Sequence, residues 1–217
     1  MRLLLLGMAL AWFALPARGA EGALLRVDYR NPSLMPAEWT LVLRPDGSGH
    51  FHAERGNAPA DPQGGMEPVT IDRDVQLTGA FADRAFATVR RRGLLNGGCE
   101  SHLKVAFQGW KKLTYSGPEG QGSCEFNYSK DKDIQALGDS LVAVAATIVE
   151  GERLQMLLQH DPLGLDHEME FVTEASKDGR MQQLGSIRGI LERLESDSDV
   201  MDRVRKRARE LLRMTEK

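Results

Sequence analysis

Two periodicities divide the chain. From Leu24 to about Tyr128 apolar residues recur every second position in short runs, the signature of half-buried strands. After Ser129 they recur every third and fourth position, the signature of amphipathic helices. Leu24–Tyr29 predicts a short strand. Trp39–Arg44 and His50–Glu54 predict two more, joined through Pro45-Asp46-Gly47-Ser48-Gly49. Proline presets φ in that link, and Asp and Gly suit turn positions, so the pair predicts a hairpin. Residues 55–68 are rich in Gly, Pro and Ala without periodicity and read as a surface loop, with a further strand at Val69–Asp72.

Phe81, Ala85 and Val89, flanked by Ala82 and Phe86, predict a helix over Gly79–Arg92, with Thr78 as N-cap and Gly93 as terminator. A second hairpin is expected, with Leu103, Val105 and Phe107 on one face of its first strand and Gln108-Gly109 at its turn. Trp110–Tyr115 forms its return strand. A Gly-rich loop and a strand through Cys124, Phe126 and Tyr128 follow. Ile134, Leu137, Leu141, Val144 and Ile148 then predict a long helix from about Asp131, and Gly151 predicts a kink or break in it. A helix over Asp166–Lys177 closes at Gly179. The stripes Leu184, Ile187, Leu191, Leu194 and Met201, Val204, Ala208, Leu211 flank Ser196-Asp197-Ser198-Asp199, a turn ending in an N-cap. They predict an antiparallel helix hairpin. The fold class is therefore α+β: N-terminal antiparallel hairpins and sheet with packed helices, followed by a C-terminal helical region. The division is a signal peptide over 1–19, a disulfide-tied α+β domain over 20–149 and a helical region over 150–217.

The leader decides the compartment. Arg2 precedes a 13-residue uncharged run, Leu3–Leu15, and Pro16-Ala17-Arg18-Gly19 places small side chains at Ala17 and Gly19. That layout is a cleaved secretory signal, and 13 residues are too few for a span that needs about 20. Cleavage near Gly19 removes Arg2, Arg18 and no acid, taking the net charge from −3 to −5. No later apolar run reaches spanning length without a charge, so the expected location is secreted or periplasmic, with no membrane span after cleavage. A mildly acidic chain lacks the basic face that nucleic acid requires. In an oxidising compartment the two cysteines, Cys99 and Cys124, are expected to form a disulfide rather than a nucleophilic thiol served by His102.

Several motifs suggest chemistry. His50-x-His52-x-Glu54 on a strand puts three potential metal ligands on one face, with His102, His160 or His167 as possible further ligands. His160, Asp161, Asp166, His167 and Glu168 cluster around a Pro-Gly turn, where helix punctuation is the simpler reading, with Asp166 as an N-cap. Asp46–Gly49 is too short for a calcium loop of about 12 residues. The last helix carries Arg203, Arg205, Lys206, Arg207, Arg209 and Arg213, but Asp202 and Glu210 interleave, giving a solvated face. Asn127-Tyr128-Ser129 is a glycosylation sequon, meaningful in a eukaryotic host.

Gly138-Asp139-Ser140-Leu141 resembles the nucleophile block of the GDSL hydrolases, in which the serine ends a strand near the mature N-terminus and an Asp-x-x-His pair lies near the C-terminus. Here the tetrapeptide falls inside a helical stripe, and none of the five histidines has an Asp three residues before it. Ser140 is therefore read as a helix residue. The order strand–strand–helix–hairpin–strand–helix over residues 39–148 is similar to small protease-inhibitor domains such as emfourin, a likeness of layout that implies an inhibitor-like module. With no coherent catalytic set and no cofactor motif, the expected function is a non-catalytic envelope or extracellular domain that binds a protein partner or acts as an accessory. The enzymatic alternative is a metal-dependent hydrolase using His50, His52 and Glu54.

Overall fold

Alternation in the first half of the chain produces strands whose even and odd positions face opposite environments. In the computed structural model, which describes residues 22–54 and 70–215, strands β1 (Leu24–Arg30), β2 (Glu38–Leu43), β3 (Ser48–Glu54) and β4 (Thr70–Gln76) form a meander. Helix α1 (Gly79–Arg91) follows, and the hairpin β5 (Trp110–Gly117) and β6 (Gly120–Phe126) completes a six-stranded sheet in the order β4-β3-β2-β1-β5-β6. Every neighbouring pair is antiparallel. The predicted signal segment and the loop over 55–68 lie outside the described residues.

The β2–β3 link behaves as its residues dictate. Gly47 has φ +82°, and a Cβ there would lie 2.3 Å from the Leu77 carbonyl oxygen, so only glycine fits. Asp46 Oδ1 accepts from the Ser48 amide at 2.9 Å, an Asx-type turn. In α1 the Thr78 hydroxyl accepts from the Phe81 amide, as its N-cap position demands.

Helix α2 runs unbroken from Lys132 to His160. By length and composition it is apolar enough to cross a membrane, yet 61% of its most apolar window is buried inside the fold, as in a core helix. Its first two-thirds, with α1, cover one sheet face and close a core around Leu25, Leu41, Phe51, Phe86, Tyr115 and Phe126. Its last turns join α3 (Leu165–Lys177), a 3₁₀ turn (Leu184–Ile187), α4 (Arg188–Ser196) and α5 (Asp202–Met214) around a second core that includes Leu154, Met169, Leu191 and Val204. The antiparallel sheet followed by helices ending in the α4–α5 pair is the α+β arrangement expected.

Four local expectations are corrected. Gly151 does not break α2; it is buried where Ile187 packs, and the absence of a side chain admits the neighbour. The second hairpin is β5–β6, turning at Pro118-Glu119 between Gly117 and Gly120. Leu103, Val105 and Phe107 do alternate, but among the described residues they have no strand partner, so the segment stays a loop with all three exposed. The layout behind the inhibitor resemblance changes with it, because β4 precedes α1 and no third strand follows the hairpin. Neither late helix is capped by the expected acid: α3 starts after Gly164 and α5 after Met201, each without a side-chain cap.

The Cys99–Cys124 disulfide forms, with both sulfurs largely buried. It ties the segment before β5 to β6, and it is compatible with an extracellular or periplasmic location.

Candidate functional site

The second face of the sheet is covered by no element among the described residues. Period-two geometry therefore sets one row of polar side chains across all six strands. By register, Glu125 stands beside Lys112, then Asp28, Thr40, His52 and Asp72. A groove of about 430 Å³ runs over this row from Glu125 to His52, with Arg30, Glu38, Glu54 and Trp110 along one side.

At the centre, Asp28 Oδ1 accepts from Arg26 Nη2 at 2.6 Å and from the Thr40 hydroxyl at 2.8 Å. Burial pushes the Asp28 carboxyl up, but these hydrogen bonds outweigh it and hold its pKa below the ordinary value. Toward the β4 edge, His52 Nδ1 meets Asp72 Oδ2 at 2.8 Å and its Nε2 meets Glu54 Oε1 at 3.3 Å. His50 Nδ1 meets Asp74 Oδ1 at 2.9 Å, while its Nε2 lies 3.4 Å from Asp72 Oδ1. Asp72 thus stands between the two imidazoles. The Asp74 carboxylate raises the pKa of His50, Asp72 then Glu54 raise that of His52, and the His52 contact lowers that of Asp72.

The fold brings His50, His52 and Glu54 to one face, as the strand pattern implied, and adds Asp72 and Asp74 from β4, which carried no signal as partners. His102 sits in the loop before β5, His160 at the end of α2 and His167 in α3, and none of them joins the cluster. Among the described residues no group of three or more His, Cys, Asp and Glu is arranged to hold a metal ion. Each imidazole is instead engaged pairwise by carboxylates.

The cluster around Asp161-Pro162 resolves into structural contacts. Asp161 accepts from the Gly164 amide, Asp166 pairs with Arg203 and Arg207 of α5, and buried Glu168 pairs with Arg153 of α2. Arg205 and Arg209 of the basic helix pair with Asp202 and Glu195. Ser140 lies within α2, consistent with its reading as a helix residue.

One apolar feature adjoins the groove. Phe107 packs edge-to-face on Trp110 at 6.3 Å, and Leu103, Val105 and Phe107 are 49%, 40% and 49% exposed. The loop that displays them is fastened by the disulfide and by Asn127, whose Oδ1 accepts from the Gln108 amide at 2.7 Å and whose Nδ2 donates to the Ala106 carbonyl. Glu100 reaches back to the Asn127 amide at 2.7 Å.

The residue that sequence reading missed is Lys111. It occupies a core-side position of β5, only 2% exposed. The signal was present, since Lys111, Leu113 and Tyr115 share one face by period two. No protein-family model matches this chain, and comparison of its sequence with curated proteins gives no match.

Proposed function

We propose that this chain is a secreted, non-catalytic protein-binding module that engages its partner through the uncovered sheet face and the apolar loop beside it. The observation that carries the reading is the combination of a charged groove with Trp110 and Phe107 at its margin. A polar field for register beside large exposed apolar anchors is the composition of a recognition surface. The leader over residues 1–19 and the Cys99–Cys124 bridge support a partner in the envelope or outside the cell. A protease is one class of partner within this reading.

The test is capture of partners by light crosslinking in the native host, using wild type alongside Trp110→Ala and Thr40→Arg variants. A dominant adduct that both substitutions remove supports the reading; an adduct pattern untouched by either refutes it. A second reading, a metal-dependent hydrolase using His50, His52 and Glu54, rests on their shared strand face alone, since no group of three ligands among the described residues is arranged for a metal. Metal bound stoichiometrically by purified protein and lost in a His50→Ala, His52→Ala double variant would favour it. Metal content at background in wild type removes its support.

A further inference from the structure

Lys111 is a buried cation with an incomplete set of partners. Its stem crosses α2 at Gly138, where a Cβ would lie 3.0 Å from Lys111 Cδ and 2.8 Å from Phe126 Cζ, so glycine makes room for the lysine inside the sheet–helix interface. The ammonium donates to the Asn127 carbonyl at 3.0 Å and, at 3.5 Å, to that of Gly109, and it stands 5.4 Å from the Phe126 ring centroid. An ammonium has three protons to donate, and two carbonyls leave one unassigned. Among the described residues no carboxylate lies within ion-pair distance of it. Asp139 accepts from Gln135 and Glu100 is taken by backbone amides, so both act only from farther away. Burial accordingly pushes the Lys111 pKa down.

An apolar residue at position 111 would satisfy the core at no electrostatic cost, since a buried charge without a counter-charge is unfavourable. What the lysine gains is access: it lines a groove of about 430 Å³ between the start of β5, α2 and the turn after α3. Val142 and Ala143 line it beside Gln108, and the carboxylates of Asp139 and Asp178 border it as well. Arg180 stands at its rim, held by Asp178 at 2.8 Å and stacked 5.4 Å from the Phe171 centroid. We propose that this groove binds a small organic anion whose carboxylate or phosphate group takes the remaining Lys111 proton, with Arg180 as the second cation.

The full chain, titrated with acetate, succinate and inorganic phosphate and followed by NMR at the Lys111 and Arg180 side chains, tests this. At least one probe should bind saturably at roughly millimolar concentration, and the ranking of carboxylates against phosphate identifies the group preferred. Lys111→Met should weaken that binding by roughly tenfold or more, the worth of one charge-assisted hydrogen bond. Asp139→Asn, an exposed change that removes an opposing charge, should strengthen it. If Lys111→Met does not fold, Arg180→Gln and Asp139→Asn carry the test, with opposite signs expected. A lysine that merely ties carbonyls together predicts no saturable binding in wild type or Asp139→Asn, or equal binding with and without Lys111; either result overturns the proposal.

Discussion

Replacing Gly151 with Ala sets two known effects against each other. In a helix interior the change should stabilise by about 1 kcal/mol, because glycine is the poorer helix former and loses more backbone freedom on folding. Here the added Cβ would meet Ile187 Cγ2 at 2.3 Å and Ile187 Cβ at 3.0 Å. Rotating the isoleucine relieves only the first contact, because its Cβ is fixed to the backbone, and Ile187 is 2% exposed within the second core. Overpacking of this kind costs about 1–3 kcal/mol, and a clash that engages the branch point belongs near the upper end. The clash wins, and Gly151→Ala should destabilise by about 1–2 kcal/mol, lowering Tm by roughly 2–8 °C for a chain of this size. Urea and thermal melts followed by circular dichroism measure this. In an Ile187→Ala background the Cγ2 contact is gone while the Cβ contact at 3.0 Å remains, so the same substitution should destabilise by clearly less than it does in wild type. A Gly151→Ala protein that melts higher than wild type would refute the close packing of α2 on the Leu184–Ile187 turn.

Three further outcomes follow from the same structure. Replacing Cys99 and Cys124 by Ser should cost about 3–4 kcal/mol in the chain-entropy picture, because the bridge spans 25 positions; a loss below about 1 kcal/mol would contradict a constraint of that size. Asp72→Asn should lower the titration midpoints of both His52 and His50 in NMR, more for His52, whose main partner it is. As both pKa values are raised in the fold, their stabilisation is present below the unfolded value of about 6.5 and fades as pH rises through the folded one, so unchanged midpoints would disprove the pairing. Lys111 has the opposite sign. Its folded pKa is depressed, so the unfolded chain binds the extra proton between that value and the ordinary lysine range, and stability should rise with pH there. Lys111→Met should remove that alkaline slope, and an unaltered slope would count against burial as its cause.

Much of the architecture was legible because each element carries its own punctuation. Thr78 and Gly93 bracket α1, and Pro45-Asp46-Gly47 sets the β2–β3 turn, both by local backbone chemistry. The errors arose where local signals are ambiguous without the tertiary neighbour. Gly151 reads as a breaker in isolation, and only Ile187 reveals it as a contact. Leu103, Val105 and Phe107 alternate like a strand, but a ladder needs a partner, and β5 pairs with β6 instead. For the site, the common face of His50, His52 and Glu54 follows from strand period alone. Asp72 and Asp74 join them only through the β3–β4 register, which lies across residues 55–69 and is not encoded locally. Lys111 hid in plain alternation, because a charged residue in a strand is ordinarily assigned to solvent.

The binding reading is tested most directly by placing a photo-crosslinking amino acid at Lys112, in the middle of the uncovered face, and separately at Lys206, exposed on α5 away from the sheet. Irradiation in the native host should give one dominant protein adduct from position 112 and none from position 206. Adducts of equal yield at both positions, or at 206 alone, would contradict a binding face on the open sheet.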